Sequence, residues 1–564
     1  MNDHPWLKSY PDGARWDLPI EPSPLQSVLA QSARRFGPLP ALQFMDKRIS
    51  YAELDALSDR AAAGLQKLGV GPGAHVGLYM PNTPQYPIAF FGVLKAGGTV
   101  VNYSPLDALR TLELKIEDSE TGILVTLDLA LLYPQAEKLL ASTRLKKLVV
   151  GEFAEYALAP GPVKAFMTAQ GMMADVKQDE RRVAFRDLLD NDGRFSAHDL
   201  GDPREALAVI QYTGGTTGSP KGAMLSHANL TAACAQYYEA TQAGPEALQE
   251  GKERVLCILP LFHIYALSVV LILGLRLGAE IVLHARFDPA AAARDIMLKK
   301  ITVYAGVPTM HVAIVGAPGV ESMDLSSLKF CSSGGAPLPL SVRQDFERLV
   351  KTRLCEGWGM SETSPTGTFT PRHGPVKPGS CGIPLPAILL KFVDVADPER
   401  ELPPGERGEL CIKGPNVMKG YWKKPEATRE AMTADGYFRT GDVGYMDGDG
   451  YVYIVDRTKD MLLVGGFNVY PRIIEEAIYQ HPSVEEASVI GVPDAYRGEK
   501  PKAFVKLKAG APPLTLEELK EFLKDRLGKH EMVGALEIRD ELPKTGVGKI
   551  SKKDLREAER TGVG

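Results

Sequence analysis

Behind Ser50-Tyr-Ala-Glu53, apolar residues recur at Leu54, Leu57, Ala61, Leu65 and Leu68. That spacing lays an apolar stripe along one helix face. Ser50 and Glu53 stand where a capping box needs its two partners, and Gly69 can close the helix. Short β-rich runs follow at residues 75–79, 99–102 and 122–126, alternating with helical stretches. Such alternation predicts parallel sheets covered by helices, an α/β fold. Residues 206–210 form another apolar run that suits a short buried strand. Residues 152–185 have weak periodicity and read as a surface excursion, and 239–253 read as a polar, glycine-containing loop.

The pattern breaks at Asp456-Arg-Thr-Lys-Asp460, a charged pentapeptide after the strand-like residues 451–455. Beyond it, 471–479 reads as helix, and 487–492 and 502–507 read as strands. Thr515-Leu-Glu-Glu518 then caps a helix with Leu519, Phe522, Leu523 and Leu527 on one face. The predicted organisation is a body over 1–456, a hinge at 457–460 and a small α+β lid over 461–564.

A chain of 564 residues exceeds what one core usually serves. A net charge of −5 gives no reason to expect a nucleic-acid partner. The six cysteines lack CxxC spacing, which argues against a zinc site or disulfide framework and fits a reducing cytosol. The N-terminus is too polar for a secretory signal, and the apolar run 266–275 is too short to span a bilayer.

Residues 212–222 read Tyr-Thr-Gly-Gly-Thr-Thr-Gly-Ser-Pro-Lys-Gly. Gly214, Gly215 and Gly218 let the backbone curl so that its N–H groups face one ligand. Thr213, Thr216, Thr217 and Ser219 add hydroxyls, and Lys221 adds a mobile charge. The set fits the terminal phosphates of a nucleotide. It is not a Walker A loop, because Gly-Lys-Ser/Thr is missing at the required spacing.

This stretch resembles the phosphate-binding motif of the adenylate-forming superfamily of acyl-CoA synthetases, luciferases and peptide-synthetase adenylation domains. Its Gly-Gly form is similar to bacterial fatty acyl-CoA ligases. The resemblance recurs at ordered points from about residue 25 to about residue 556. It implies a large body of stacked, helix-covered sheets with a β-barrel-like subdomain, and a small lid that rotates on a hinge. It implies ATP, Mg²⁺ and coenzyme A, and ligation of a medium- to long-chain fatty acid through an acyl-adenylate. A dicarboxylic or aromatic acid, or loading of a carrier protein, are the alternative readings. The chain runs about fifteen residues past Lys549, so no fused carrier domain is expected.

Residue roles follow from the same resemblance. Glu356-Gly-Trp-Gly-Met-Ser-Glu-Thr363 is similar to the adenine and magnesium motif, spanning Gly357, Trp358, Gly359, Met360 and Ser361. Trp358 stands where the family has tyrosine, and its ring either stacks on adenine or packs in the core. Glu362 would hold Mg²⁺ with the hydroxyl of Thr213, since hard cations want oxygen. Gly335, Ala336 and Pro337 would form a turn facing adenine and the acyl carboxylate. Asp442, in Phe438-Arg-Thr-Gly-Asp442, would accept both ribose hydroxyls. Arg457 would reach ribose and phosphate oxygens, and Lys459 holds the hinge position.

Gly465 and Gly466 would let backbone approach the pantetheine arm of coenzyme A in the lid's second pose. Lys549, in Pro543-Lys-Thr-Gly-Val-Gly-Lys549, would bridge the carboxylate and the α-phosphate, charged at an ordinary pKa of about 10.4. His263 reads either as a gate at the carboxylate end of the acyl channel or as a core histidine, and 267–275 as tunnel lining or plain core. Asn102-Tyr-Ser-Pro-Leu106 departs from the family's usual form and receives no role. The resemblance leaves room for a cytoplasmic enzyme with peripheral membrane contact, a homodimer, and a lysine acetyltransferase acting on Lys549.

Overall fold

Ser50 caps the helix Tyr51–Lys67 as its sequence predicts: its hydroxyl accepts from the Glu53 amide at 3.2 Å, and the Glu53 carboxylate accepts from the Ser50 amide at 2.7 Å. The computed structural model describes residues 4–561, apart from 178, 214–219, 245–246, 466, 495 and 546–547. Every residue of the helix Gln85–Lys95 is buried. It packs on Tyr51–Lys67 and on the strands His75–Leu78 and Thr99–Asn102, while Tyr51–Lys67 also touches Pro40–Phe44 and Lys47–Ser50. The two helices therefore lie between two sheets. Gly92 permits their close approach, since a Cβ there would come within 2.6 Å of the Ala61 methyl.

Among the described residues the strands form four sheets. One runs Arg182–Ala184, Lys147–Gly151, Ile123–Leu127, His75–Leu78, Thr99–Asn102, Leu207–Thr213 and Lys221–Ser226, parallel except for the last pair. A second is built around the parallel strands Leu354–Trp358, Phe330–Ser333, Val303–Gly306, Arg254–Cys257, Glu280–Leu283 and Pro40–Phe44, with short antiparallel strands at both edges. The expected barrel-like subdomain is an antiparallel sheet of Leu389–Val393, Gly408–Lys413, Phe438–Met446 and Val452–Arg457.

Past this sheet, Leu462–Val464, Phe467–Val469, Val484–Asp494, Gly498–Leu507 and Ala535–Ile538 form a separate sheet. Its core gathers Ile474, Ile478, Val489, Val505, Leu519 and Leu523. Thr515 caps Leu516–Leu523 with a full capping box, and Leu527 lies beyond that helix yet joins the same core.

Two expectations need correction. Residues 152–185 are not simply an excursion: Phe153, Tyr156 and Met167 are buried, and Arg182–Ala184 completes the edge of the first sheet. Their burial follows tertiary packing, which a weak local period does not reveal. The helix His227–Gln242 also runs into the stretch expected as loop from 239. The cysteines are buried and unpaired. Among the described residues no helix is long and apolar enough to cross a membrane.

Candidate functional site

A cavity of about 990 Å³ opens where parallel strands of both large sheets end. Loops beyond the carboxyl ends of parallel strands are where such sheets leave room for a ligand. Thr99–Asn102 and Leu207–Thr213 run side by side and deliver Asn102 and Thr213 to it; Phe330–Ser333 and Leu354–Trp358 deliver Ser333 and Trp358. Thr213, Lys221, His263, Gly335, Ala336, Pro337, Gly357, Trp358, Gly359, Met360, Ser361, Glu362, Asp442, Arg457, Lys459 and Lys549 all line this one space.

Gly214, Gly215, Thr216, Thr217, Gly218 and Gly466 lie outside the described residues. The strands flanking the first five pair as a hairpin, with Thr213 opposite Lys221. Gly465 does not line the cavity: it is exposed just after the strand Leu462–Val464, where its amide donates to the Arg497 carbonyl at 2.8 Å.

Asp442 is a buried carboxylate of the site with both oxygens engaged. It is 4% exposed, and each carboxylate oxygen receives a donor. Arg457 Nε donates to Oδ1 at 3.0 Å and Trp358 Nε1 to Oδ2 at 2.7 Å. The Trp358 indole thus takes a polar part beyond a ring's stacking surface. The Asp442 charge, first among its causes, raises the Arg457 pKa further.

Lys549 reaches into the cavity from the far end of the chain. Its Nζ and Cε lie 3.4 and 2.9 Å from where a Cβ on Gly335 would stand, so the missing side chain makes room for the lysine. Gly335 also adopts φ +78°, which favours glycine. Desolvation in the cavity, then the nearby Arg457 charge, lowers the Lys549 pKa to about 8, with Asp442 opposing. The expectation of an ordinary lysine pKa is therefore corrected: burial holds Lys549 below the usual lysine range. Lys459 is also shifted down, first by burial and then by Arg457.

His263 lies close enough to feel Lys549: burial and then that charge lower its pKa to about 3. Its Nδ1 accepts from the Tyr265 amide at 3.3 Å, so the neutral ring keeps its proton on Nε2. Glu362 is 5% exposed and burial raises its pKa. Tyr421 donates to its Oε1 at 2.9 Å, and the Tyr421 ring also meets the Lys221 ammonium at 5.0 Å. The turn Ser361–Thr363 packs on the strands that carry Thr213 and Lys221. A desolvated carboxylate on a turn packed against the Thr213 strand offers the oxygen that a hard divalent cation such as Mg²⁺ takes.

Sequence reasoning missed several lining residues. Asn102 and Ser104 face the cavity. Asn102 Nδ2 donates to Gln211 Oε1 at 3.0 Å, and Gln211 Nε2 donates to the Phe262 carbonyl at 3.2 Å. Position at the end of a parallel strand was the available signal. Tyr421 gave none, because its tie to Glu362 spans distant segments. Glu356 also lines the cavity, with its pKa pushed up to about 7 by burial. Of the run 267–275, Val269 reaches the cavity while Leu267, Val270, Leu271 and Leu275 are core. The run winds as a π-helix over Ala266–Ile272, a form that clusters at functional sites.

A family model described as AMP-binding enzyme matches residues 29–422, and one described as AMP-binding enzyme C-terminal domain matches 473–549. The chain belongs to the AMP-binding enzymes. Within this family it is 40% identical over 561 residues to a long-chain-fatty-acid–CoA ligase of Bacillus subtilis, covering 99% of each chain. It is 38% identical over 569 residues to a protein of the same name from Escherichia coli O6:H1, again covering 99% of each. Among solved structures, ATP-bound MatB from Rhodopseudomonas palustris superposes with a TM-score of 0.82 at 29% identity, over 95% of this chain and 99% of that one. The adenylate-forming resemblance read from the motifs therefore holds across nearly the whole AMP-binding chain.

Proposed function

We propose that this enzyme ligates a medium- to long-chain fatty acid to coenzyme A at the expense of ATP. A carboxylate oxygen attacks the α-phosphorus, and the bond to pyrophosphate breaks. The thiol sulfur of coenzyme A then attacks the acyl carbon of the adenylate. The thiol proton is lost and AMP departs. The observation that carries this reading is Lys549, brought from the C-terminal segment to Gly335, near the Asp442–Arg457 pair and His263.

In this reading Asp442 orients the ribose and Arg457 neutralises phosphate. Lys549 bridges the two reacting groups, and the His263 Nε2–H donates to the carboxylate. These are positioning and electrostatic tasks, the main demands of phosphoryl chemistry. Mg²⁺, held by Glu362 and Thr213, would offset phosphate charge. Lid rotation about 457–460 would then withdraw Lys549 and bring Gly465 toward coenzyme A. Peripheral membrane contact, a homodimer and acetylation of Lys549 belong to the same proposal; acetylation would remove the bridging charge.

An aromatic patch of the cavity wall favours a fatty acid. Tyr237 meets Phe369 edge-on at 6.1 Å, Phe369 stacks on Phe330 at 5.6 Å, and all three line the cavity. None carries a charge that a second carboxylate could pair with. Straight-chain acids of about six to eighteen carbons should gain kcat/KM with length while methylenes are still being buried, at about 0.8 kcal/mol each. Diacids of equal length should fall about 100-fold short, since a buried unpaired charge is costly. Pyrophosphate release across both series decides this, and equal rates for monoacids and diacids would sink the fatty-acid assignment.

The bridging role also sets a pH dependence. Lys549 must carry its proton, and its pKa is about 8 in the free protein. The kcat/KM of adenylation should therefore decline as pH rises through this value. His263, neutral above about pH 3, should add no limb near neutrality. A profile flat from about pH 7 to about pH 10 contradicts the role.

A further inference from the structure

We infer that Thr309 is a latch that holds the Lys549 loop in the first-step pose, an inference that rests on the proposed bridging role of Lys549. Thr309 is the second residue of the helix Pro308–Val315 in the body. Its Oγ1 donates to the carbonyl of Gly548 at 2.7 Å, across 239 residues of chain. Among the described residues this is the hydrogen bond that joins the segment 544–550 to the body.

The described residues of the loop it grips are tied to one another. The Thr545 amide donates to the Lys549 carbonyl at 2.7 Å, and the Gly548 amide donates to the Thr545 carbonyl at 2.8 Å. The Thr545 hydroxyl accepts from the Lys549 amide at 3.2 Å. Gly548 sits at φ +80°, and a Cβ on it would stand 3.2 Å from the Thr309 hydroxyl and 3.4 Å from Val307. Fixing the Gly548 carbonyl therefore fixes where the next side chain, Lys549, enters the cavity. Thr309 also lines the cavity, but its hydroxyl is spent on the Gly548 carbonyl, so it acts here as a positioning residue.

The bond exists only while the loop is docked. Once the lid turns, both partners return to water. The latch therefore favours the adenylating pose over the thioester-forming one, and a contact made in one state alone shifts their balance. A single hydrogen bond of ordinary net strength corresponds to a shift of about 3- to 10-fold.

The test measures both half-reactions in the full chain. Adenylation is followed by acid-dependent pyrophosphate exchange, and thioester formation by supplying acyl-adenylate and coenzyme A. Thr309→Val should slow adenylation about 3- to 10-fold and leave the thioester step unchanged or faster. Thr309→Ser, which keeps the hydroxyl, should restore adenylation. Where valine crowds the loop and the variant melts early, Thr309→Ala gives the same comparison. Equal slowing of both steps, no slowing of either, or failure of serine to rescue overturns the latch. Lys549→Ala separates the two claims. If it loses adenylation while Thr309→Val keeps full speed, the latch alone is wrong. If Lys549→Ala keeps adenylation, the reading of the site fails and the latch with it.

Discussion

Lys549→Ala should cut adenylation by about 10²- to 10³-fold while thioester formation from supplied acyl-adenylate falls less than about tenfold. The size follows from removing one preorganised charge from a desolvated reaction centre. The asymmetry follows from the proposed lid rotation: Lys549 stands at Gly335 in this arrangement, and the turn proposed about 457–460 would withdraw it before the thioester step. A loss confined to substrate affinity would not produce that split, because both half-reactions use the same acyl pocket. Lys549→Arg should rescue poorly. The space above Gly335 admits a slender alkyl chain, with Cε 2.9 Å from the position of a Cβ, and a planar guanidinium needs more width. Parallel assays of the two half-reactions check both statements, and equal losses in each would refute the assignment.

The fold was legible where a local period coincides with burial. The capping boxes at Ser50 and Thr515 and the apolar run ahead of Thr213 each became the predicted element, because their signals are short-range. Residues 152–185 escaped, because Phe153 and Met167 are buried by contacts from elsewhere in the chain. The site divides along the same line. Thr213, Glu362, Asp442, Arg457 and Lys549 stand in recognisable strings, and the fold brings them to one cavity. What no string could show is how they modify one another. The tie from Trp358 to Asp442, the hydroxyl of Tyr421 on Glu362 and the descent of the Lys549 pKa to about 8 each depend on residues far apart in sequence. The Thr309–Gly548 contact belongs to the same class, since its partners stand 239 residues apart.

The site concentrates charge among buried side chains. Asp442 is satisfied by two donors, whereas Lys549 and Glu362 are displaced toward their neutral forms by desolvation. Groups so placed lower the stability of the empty protein, and partners of opposite charge relieve the cost when they bind. A polyphosphate would relieve Lys549. A divalent cation would relieve Glu362.

Glu362→Gln should therefore move activity and stability in opposite directions. Glutamine keeps the length and one acceptor oxygen, so the Tyr421 hydroxyl retains a partner and the fold is undisturbed. It removes a buried carboxylate whose charged form the fold disfavours, so the variant should melt at or above the parent's temperature near neutral pH. The sign follows from linkage: burial raises the Glu362 pKa above its unfolded value, so ionisation destabilises the fold increasingly as pH rises through the normal carboxylate range. Adenylation should nevertheless fall about 100-fold, and the Mg²⁺ concentration for half-maximal rate should rise about tenfold or more, because a neutral amide is a weak ligand for a hard cation. Thermal denaturation with and without nucleotide, paired with Mg²⁺ titration of pyrophosphate exchange, reads both effects. A variant that loses activity and stability together would mark Glu362 as a structural carboxylate, and unchanged Mg²⁺ dependence would remove it from the metal's coordination.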